Sequence, residues 1–156
     1  MERPILTPAE IVREHPLFKK VFELGLPKNS SAVFAGAALV PHGLREQIDD
    51  VDMVAIGDAW DIAASIVTPK RAYLGGYKIE IAVQDDLGKH VGDIEIFDSW
   101  GPGEWDLNRL IKEAHEFEGL RFVRLEEVLR WKQLTNRDKD LKDIEAIQDF
   151  LATLRQ

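Results

Sequence analysis

Apolar positions along this chain alternate between two periods, and the switches between them mark out its elements. Ile11, Phe18, Val21, Phe22 and Leu24 recur at helical spacing. Thr7-Pro8-Ala9-Glu10 offers a capping box with proline in the first turn, and Pro16 interrupts the run. Gly25-Leu26-Pro27-Lys28-Asn29 reads as a loop. Ser31 to Ala35 predicts a first strand that delivers Gly36 to the edge of a sheet, and Gly36 to about Leu44 a short helix. A second strand follows at 51–56. Asp58 to Ile66 predicts a helix capped by Asp58, with Ile62, Ala63 and Ile66 inward.

Two alternating runs, Tyr77 to Val83 and His90 to Phe97, then predict a hairpin joined by Gln84–Lys89. Asp106 to Glu118 has a helical apolar stripe of Leu107, Leu110, Ile111 and Ala114, and Gly119 ends it. Leu120 to Arg124 predicts a last strand. From Leu125 a helix carries Leu125, Val128, Leu129 and Lys132 on one face. Lys132 extends an apolar stripe, so it either snorkels to water or points into a cleft. After Thr135-Asn136, Asp138 to Leu154 predicts the final helix, with Leu141, Ile144, Ile147, Leu151 and Leu154 buried. The pattern as a whole predicts one α/β (α+β) domain over residues 1–156, a small mixed sheet flanked by helices with an acidic cleft on the other face.

Composition narrows the function classes. With 45% hydrophobic and 31% charged residues, the chain has the balance of an ordinary soluble globular protein. No apolar run is long enough for a membrane span, and the opening MERPILTPAE lacks the pattern of a secretory leader. The absence of cysteine removes disulfides and thiolate chemistry and fits a cytoplasmic protein. The four histidines show no paired ligand spacing, which argues against zinc. A net charge of −8 argues against extended duplex nucleic acid as a partner. Yet Arg121, Arg124, Arg130, Lys132, Arg137, Lys139 and Lys142 cluster late in the chain. Such a local positive wall suits a nucleoside triphosphate or an RNA end, although solvated helix faces have the same pattern.

The stretch with most chemistry is VFAGAALVPHGLREQIDDVDMVAI, residues 33–56. In a strand, Asp50 and Asp52 project from the same side about 6.6 Å apart. Nothing positive lies between Glu46 and Ile56, so the two carboxylates repel unless a cation lies between them. Their hard oxygens suit Mg²⁺. On the second hairpin strand, Asp93 and Glu95 share one face and Ile94 and Ile96 the other. The loop Ser99–Asp106 sets Trp100 and Trp105 about Gly-Pro-Gly, suited either to stacking on a base or to covering the end of a core.

Ala35-Gly36-Ala37-Ala38-Leu39, then Gly43-Leu44-Arg45, then Asp50-Val51-Asp52 resembles the first motif of the nucleotidyltransferase superfamily, in particular its small bacterial and phage members. Lys132 through Asp140 is similar to that family's trailing pattern of Lys, then Arg-x-Lys-Asp before a helix. The resemblance implies a polymerase-β-like fold and an NTP substrate. It also implies Mg²⁺ held by Asp50, Asp52 and a third carboxylate, best matched by Glu95, with Asp93 as the substitute and Glu80 a distant third. Gly36, Ala37, Arg45, Lys132 and Arg137 become the implied phosphate or nucleotide contacts, with Asp140 pairing and orienting the cations. Two departures stand out: Ala-Gly-Ala replaces Gly-Gly or Gly-Ser at the turn, leaving phosphate contacts to backbone N–H groups, and Glu95 replaces the usual aspartate. The implied reaction transfers a nucleotide to an RNA 3′ end, a protein or a small molecule. A silent nucleotide- or partner-binding module and a metal-dependent nuclease are the rival readings. By itself Arg45 is as well suited to pair with Glu46 or Asp49, and His42 reads as structural or solvent-facing.

Overall fold

The computed structural model describes residues 6–155. The first five residues, which begin the stretch read as lacking a leader pattern, lie outside the described residues, as does Gln156. The order of elements is α1 (Pro8–Glu14), α2 (Pro16–Leu24), β1 (Ser31–Phe34), a 3-10 segment (Ala35–His42), β2 (Asp50–Ala55), α3 (Gly57–Ile66), β3 (Lys70–Arg71), β4 (Tyr77–Gln84), β5 (His90–Phe97), α4 (Leu107–Glu113), β6 (His115–Phe117), β7 (Leu120–Phe122), α5 (Leu125–Thr135) and α6 (Asp138–Thr153). The strands form one mixed seven-stranded sheet in the order β3-β4-β5-β2-β1-β7-β6. β2 runs parallel to β5 and β1 parallel to β7, while the other pairs are antiparallel.

The first helical run divides where Pro16 requires it. Thr7 and Glu10 close the capping box of α1, and His15 ends α1 while its ring nitrogen accepts the Leu17 N–H that opens α2. α2 then lies across β2, β4 and β5, with Leu17, Phe18 and Val21 buried. Register puts Val33, Met53, Ile79, Ile94 and Ile96 on one face of the sheet, and all five are buried. Phe18 of α2 meets Phe122 of β7 edge-on at 6.0 Å. Burying an aromatic or aliphatic side chain of this size contributes about 1.5–3 kcal/mol, so this layer holds α2 to the sheet.

The other face is not a bare acidic surface. Ala32, Phe34 and Val54 share it with Asp50 and Asp52 by register, and these three apolar residues are also buried. Trp100 stacks on Phe34 at 4.5 Å, with Trp105 and Trp131 at 5.6 and 6.1 Å. The tryptophan loop therefore covers the end of the core, and the face opens at the carboxylates and along β4, where Lys78, Glu80 and Ala82 are partly or fully exposed.

Four local expectations change. The segment after β1 is 3-10 rather than α-helical, and its interior holds Pro41. α3 turns Ala59 and Ala63 inward and leaves Ile62 and Ile66 exposed, and it has no side-chain cap from Asp58. Alanine at the contact allows the helix to approach its neighbours closely, so bulkier residues fall outside. The run from Asp106 does not stay helical to Glu118: α4 ends at Glu113, and His115–Phe117 pairs with β7 as an edge strand. There Glu118 and Gly119 take positive φ, making the two-residue turn of a tight hairpin. Of the five apolar residues expected to be buried along α6, only Ile147 is: Leu141 and Leu154, which caps the helix end, are exposed, Ile144 and Leu151 are half-buried, and Asp140 is buried instead.

Candidate active site

The site begins with a backbone kink. Ala35 takes φ 57°, a left-handed conformation that favours glycine. This swings the chain out of β1 into the 3-10 segment. Gly36 follows, and a side-chain carbon there would overlap the guanidinium of Arg45. The glycine turn is thus the bed on which Arg45 lies. Arg45 does not pair with Glu46 or Asp49; its Nη2 donates to Asp143 Oδ2 of α6 at 2.6 Å.

β2 leaves the sheet edge of this turn carrying the acidic pair. Asp50 lies opposite Asp93 and Asp52 opposite Glu95 in the parallel register with β5. All four carboxylates therefore rise from one face. Asp50 Oδ1 accepts the Asp93 N–H at 3.1 Å. Asp93 turns to His90 instead, at 3.0 Å. Burial pushes the Asp52 carboxyl up to about 7, and the neighbouring Glu95 and Asp50 charges add to this. Lys78 and Lys139 act in the opposite sense without offsetting it. Lys78 comes from β4, where its Nζ contacts Glu95 at 3.3 Å and Glu80 at 2.7 Å. Glu80 also binds Lys70, at 2.6 Å.

The trailing segment forms the opposite wall. Lys132 ends the buried face of α5 and is itself only 4% exposed, so it points inward rather than snorkelling. Its Nζ contacts Asp143 at 2.9 Å and Asp140 at 3.4 Å. Asn136, at φ 45°, reverses the chain into α6. Asp140 accepts from the Arg137 N–H at 3.0 Å, from Arg137 Nε and Nη2 at 2.8 and 3.0 Å, and from Thr135 Oγ1 at 2.6 Å. Burial alone would raise the Asp140 carboxyl. The bonds from Arg137 and Thr135, with the charge of Lys132, hold it instead well below the usual carboxylate range. Arg137 also lies over the Trp131 ring at 5.3 Å.

Two clefts meet at the carboxylates. The first, of about 320 Å³, is lined by Ala35, Gly36, Arg45, Asp50, Asp52, Lys132, Arg137 and Lys139 among others. The second, of about 330 Å³, holds Asp50, Asp52 and Glu95 together with Tyr73, Leu74, Phe97 and Trp100. Asp50, Asp52, Trp131 and Arg137 line both. Gly36, Arg45, Asp50, Asp52, Glu95, Lys132 and Arg137 are thus gathered in one region, as expected. Two expected residues are not: Asp93 lines neither cleft, and Ala37 is buried in the core, its place at the turn taken by Ala35.

The late basic cluster divides. Lys132, Arg137 and Lys139 line the first cleft. Arg121 and Arg124 donate to backbone carbonyls of Ile111 and Glu113, and Arg130 lies on Trp105 at 3.7 Å. Sequence reasoning missed Asp143 and Lys78. Asp143 stands three residues after Asp140, on the same face of α6, and Lys78 is in phase with Glu80 along β4. Those spacings are the signals that were present.

Hard oxygen donors with unrelieved repulsion fit a divalent cation of the Mg²⁺ class, although among the described residues no three acidic or histidine side chains are already gathered around one point. Fold and cleft together define a mixed α/β protein with a charged site at one end of its sheet. No family model matches the chain, and no curated protein does. Among solved structures, the crystal structure of JHP933 from Helicobacter pylori is similar with a TM-score of 0.48 and 18% identity, over 81% of this chain and 62% of that one. The chain thus spans less than two thirds of that protein's length. Among the described residues, no helix is long and apolar enough to cross a membrane.

Proposed function

We propose that this chain is a Mg²⁺-dependent nucleotidyltransferase, moving a nucleoside monophosphate from an NTP to a hydroxyl on an RNA end, a protein or a small molecule. One observation carries the reading: Asp52 and Glu95 stand side by side on parallel strands, with Asp50 on the same face, where two clefts meet. Asp50, Asp52 and Glu95 would hold the ion. When bound, such ions offset the charge that develops on the attacking and leaving oxygens of an in-line displacement. Arg45, Lys132, Arg137 and Lys139 bind the triphosphate along the first cleft, with backbone N–H groups at Gly36 taking the part of the missing serine hydroxyl. The second cleft receives the acceptor, and Phe97 and Trp100 keep water from its hydroxyl. That oxygen bonds to the α-phosphorus as the bond to pyrophosphate breaks, and the hydroxyl proton passes to solvent.

The test is pyrophosphate release with each of the four NTPs, Mg²⁺ and cell extract, for wild type and Asp52→Asn. Release that needs Asp52 and extract supports a transferase. A second reading is favoured by the ion pairs of Arg45, Lys132 and Arg137 with Asp140 and Asp143. Cations already neutralised suit a silent module that binds a nucleotide or partner without chemistry. It predicts NTP binding with no pyrophosphate from either protein.

A further inference from the structure

Two carboxylates of α6 face the cations of the first cleft, and they are built differently. Asp140 is fully buried and has both oxygens engaged, by a backbone N–H, a hydroxyl, the Arg137 guanidinium and Lys132. Asp143 follows three residues later, lines the cleft and keeps 16% of its side chain exposed. Its Oδ2 alone serves both Arg45 Nη2, at 2.6 Å, and Lys132 Nζ, at 2.9 Å. Among the described residues, no backbone N–H or hydroxyl donates to this carboxylate.

One oxygen that gathers a guanidinium and an ammonium from two separate elements does what a phosphate oxygen does in such a cleft. Loss of the contact would strand neither cation in an apolar setting. Lys132 would keep Asp140 at 3.4 Å, and Arg45 is one-third exposed over Gly36, where no side chain stands between it and the turn. Charge gives the direction of the effect. Four cations line the first cleft against five carboxylates, so the lining offers a further anion no net attraction. Asp143 is the carboxylate set directly on Arg45.

We propose that Asp143 is a built-in competitor for phosphate: its carboxylate holds Arg45 and Lys132 together until a phosphate group of the ligand takes its place. The proposal rests on the reading that the first cleft receives a triphosphate, and it holds alike for a transferase and for a silent nucleotide-binding module. It also sets a specificity. A lone phosphate must displace a carboxylate tethered beside the same cations, at high effective concentration. A polyphosphate has further groups for Arg137 and Lys139, which line the same cleft, and so can outbid the tether.

Titration calorimetry with inorganic triphosphate, in chelator and without Mg²⁺, tests this apart from any turnover. Asp143→Asn should bind at least roughly tenfold more tightly than wild type, because a negative charge in contact with two cations is gone. Asp143→Glu keeps the charge and should not gain. Equal or weaker binding by Asp143→Asn overturns the proposal and makes Asp143 a brace that positions Arg45, and a gain shared by Asp143→Glu overturns it too. The wild-type protein gives a second measurement: in its crystal structure with inorganic triphosphate, Arg45 Nη2 should bond a phosphate oxygen with Asp143 standing clear. Arg45 still bound to Asp143 there would refute displacement. Neither result depends on chemistry, so failure here leaves the pyrophosphate-release test of the transferase reading intact.

Discussion

Asp52→Asn should stabilise this protein, and by an amount that grows with pH. In the folded chain, burial beside Glu95 and Asp50 holds the Asp52 proton to about pH 7. An unfolded aspartate releases its proton near ~3.9. Between those values the folded state binds more protons than the unfolded one, so stability falls as pH rises. The gap corresponds to at most about 4 kcal/mol at pH 8, reduced by whatever water reaches the partly open cleft. Asparagine keeps the shape and never ionises. Urea denaturation of wild type and Asp52→Asn at pH 4.5, 6 and 8, without divalent ions, reads the difference directly. The variant should gain little at the lowest pH and about 2–4 kcal/mol at the highest. A gain that does not change with pH would refute the argument, because it would place the effect in packing rather than in ionisation.

Mg²⁺ should offset the same repulsion, raising the thermal midpoint of wild type at pH 8 and leaving Asp52→Asn unmoved; an equal rise in both would show binding elsewhere. Asp140→Ala removes a partner of a buried lysine and the cap of α6, and should cost about 3 kcal/mol by urea denaturation; a cost below about 1 kcal/mol would mean that Asp143 alone satisfies Lys132. Ala35→Gly relieves a left-handed alanine and should be near neutral, whereas Ala38→Gly, in the same buried segment without positive φ, should cost at least about 1 kcal/mol more in the same assay. Gly36→Ala displaces the Arg45 guanidinium from Asp143, so its cost and that of Arg45→Ala should be far from additive in a double-mutant cycle; additive costs would mean that the two do not communicate.

The sequence made legible what depends on period. All five expected strands form, because alternating Ile79-Ile81 and Ile94-Ile96 leave one solution for the register against a buried face. The acidic pair and Glu95 were legible for the same reason, since period two fixes which side chains share a side. What stayed hidden depends on partners distant in the chain. Arg45 reaches Asp143 across 98 residues, and no local pattern chooses that carboxylate over Glu46 or Asp49. The edge strand at His115–Phe117 hid inside a helical stripe because three residues are too few to establish a period. His42 and His115, whose Nε2 atoms stand 3.2 Å apart, looked scattered for a like reason: spacing along the chain says nothing about rings brought together by a 3-10 segment and an edge hairpin.

Because Asp50, Asp52, Trp131 and Arg137 form walls of both clefts, the two cannot be filled independently. An occupant of one that alters the charge at Asp52, or turns Arg137 away from Asp140, changes what the other can hold. Thermodynamic linkage requires that influence to be mutual and equal in magnitude. For any two ligands that fill both clefts, affinities measured one at a time would therefore miss a term, and the quantity to measure is the coupling between them.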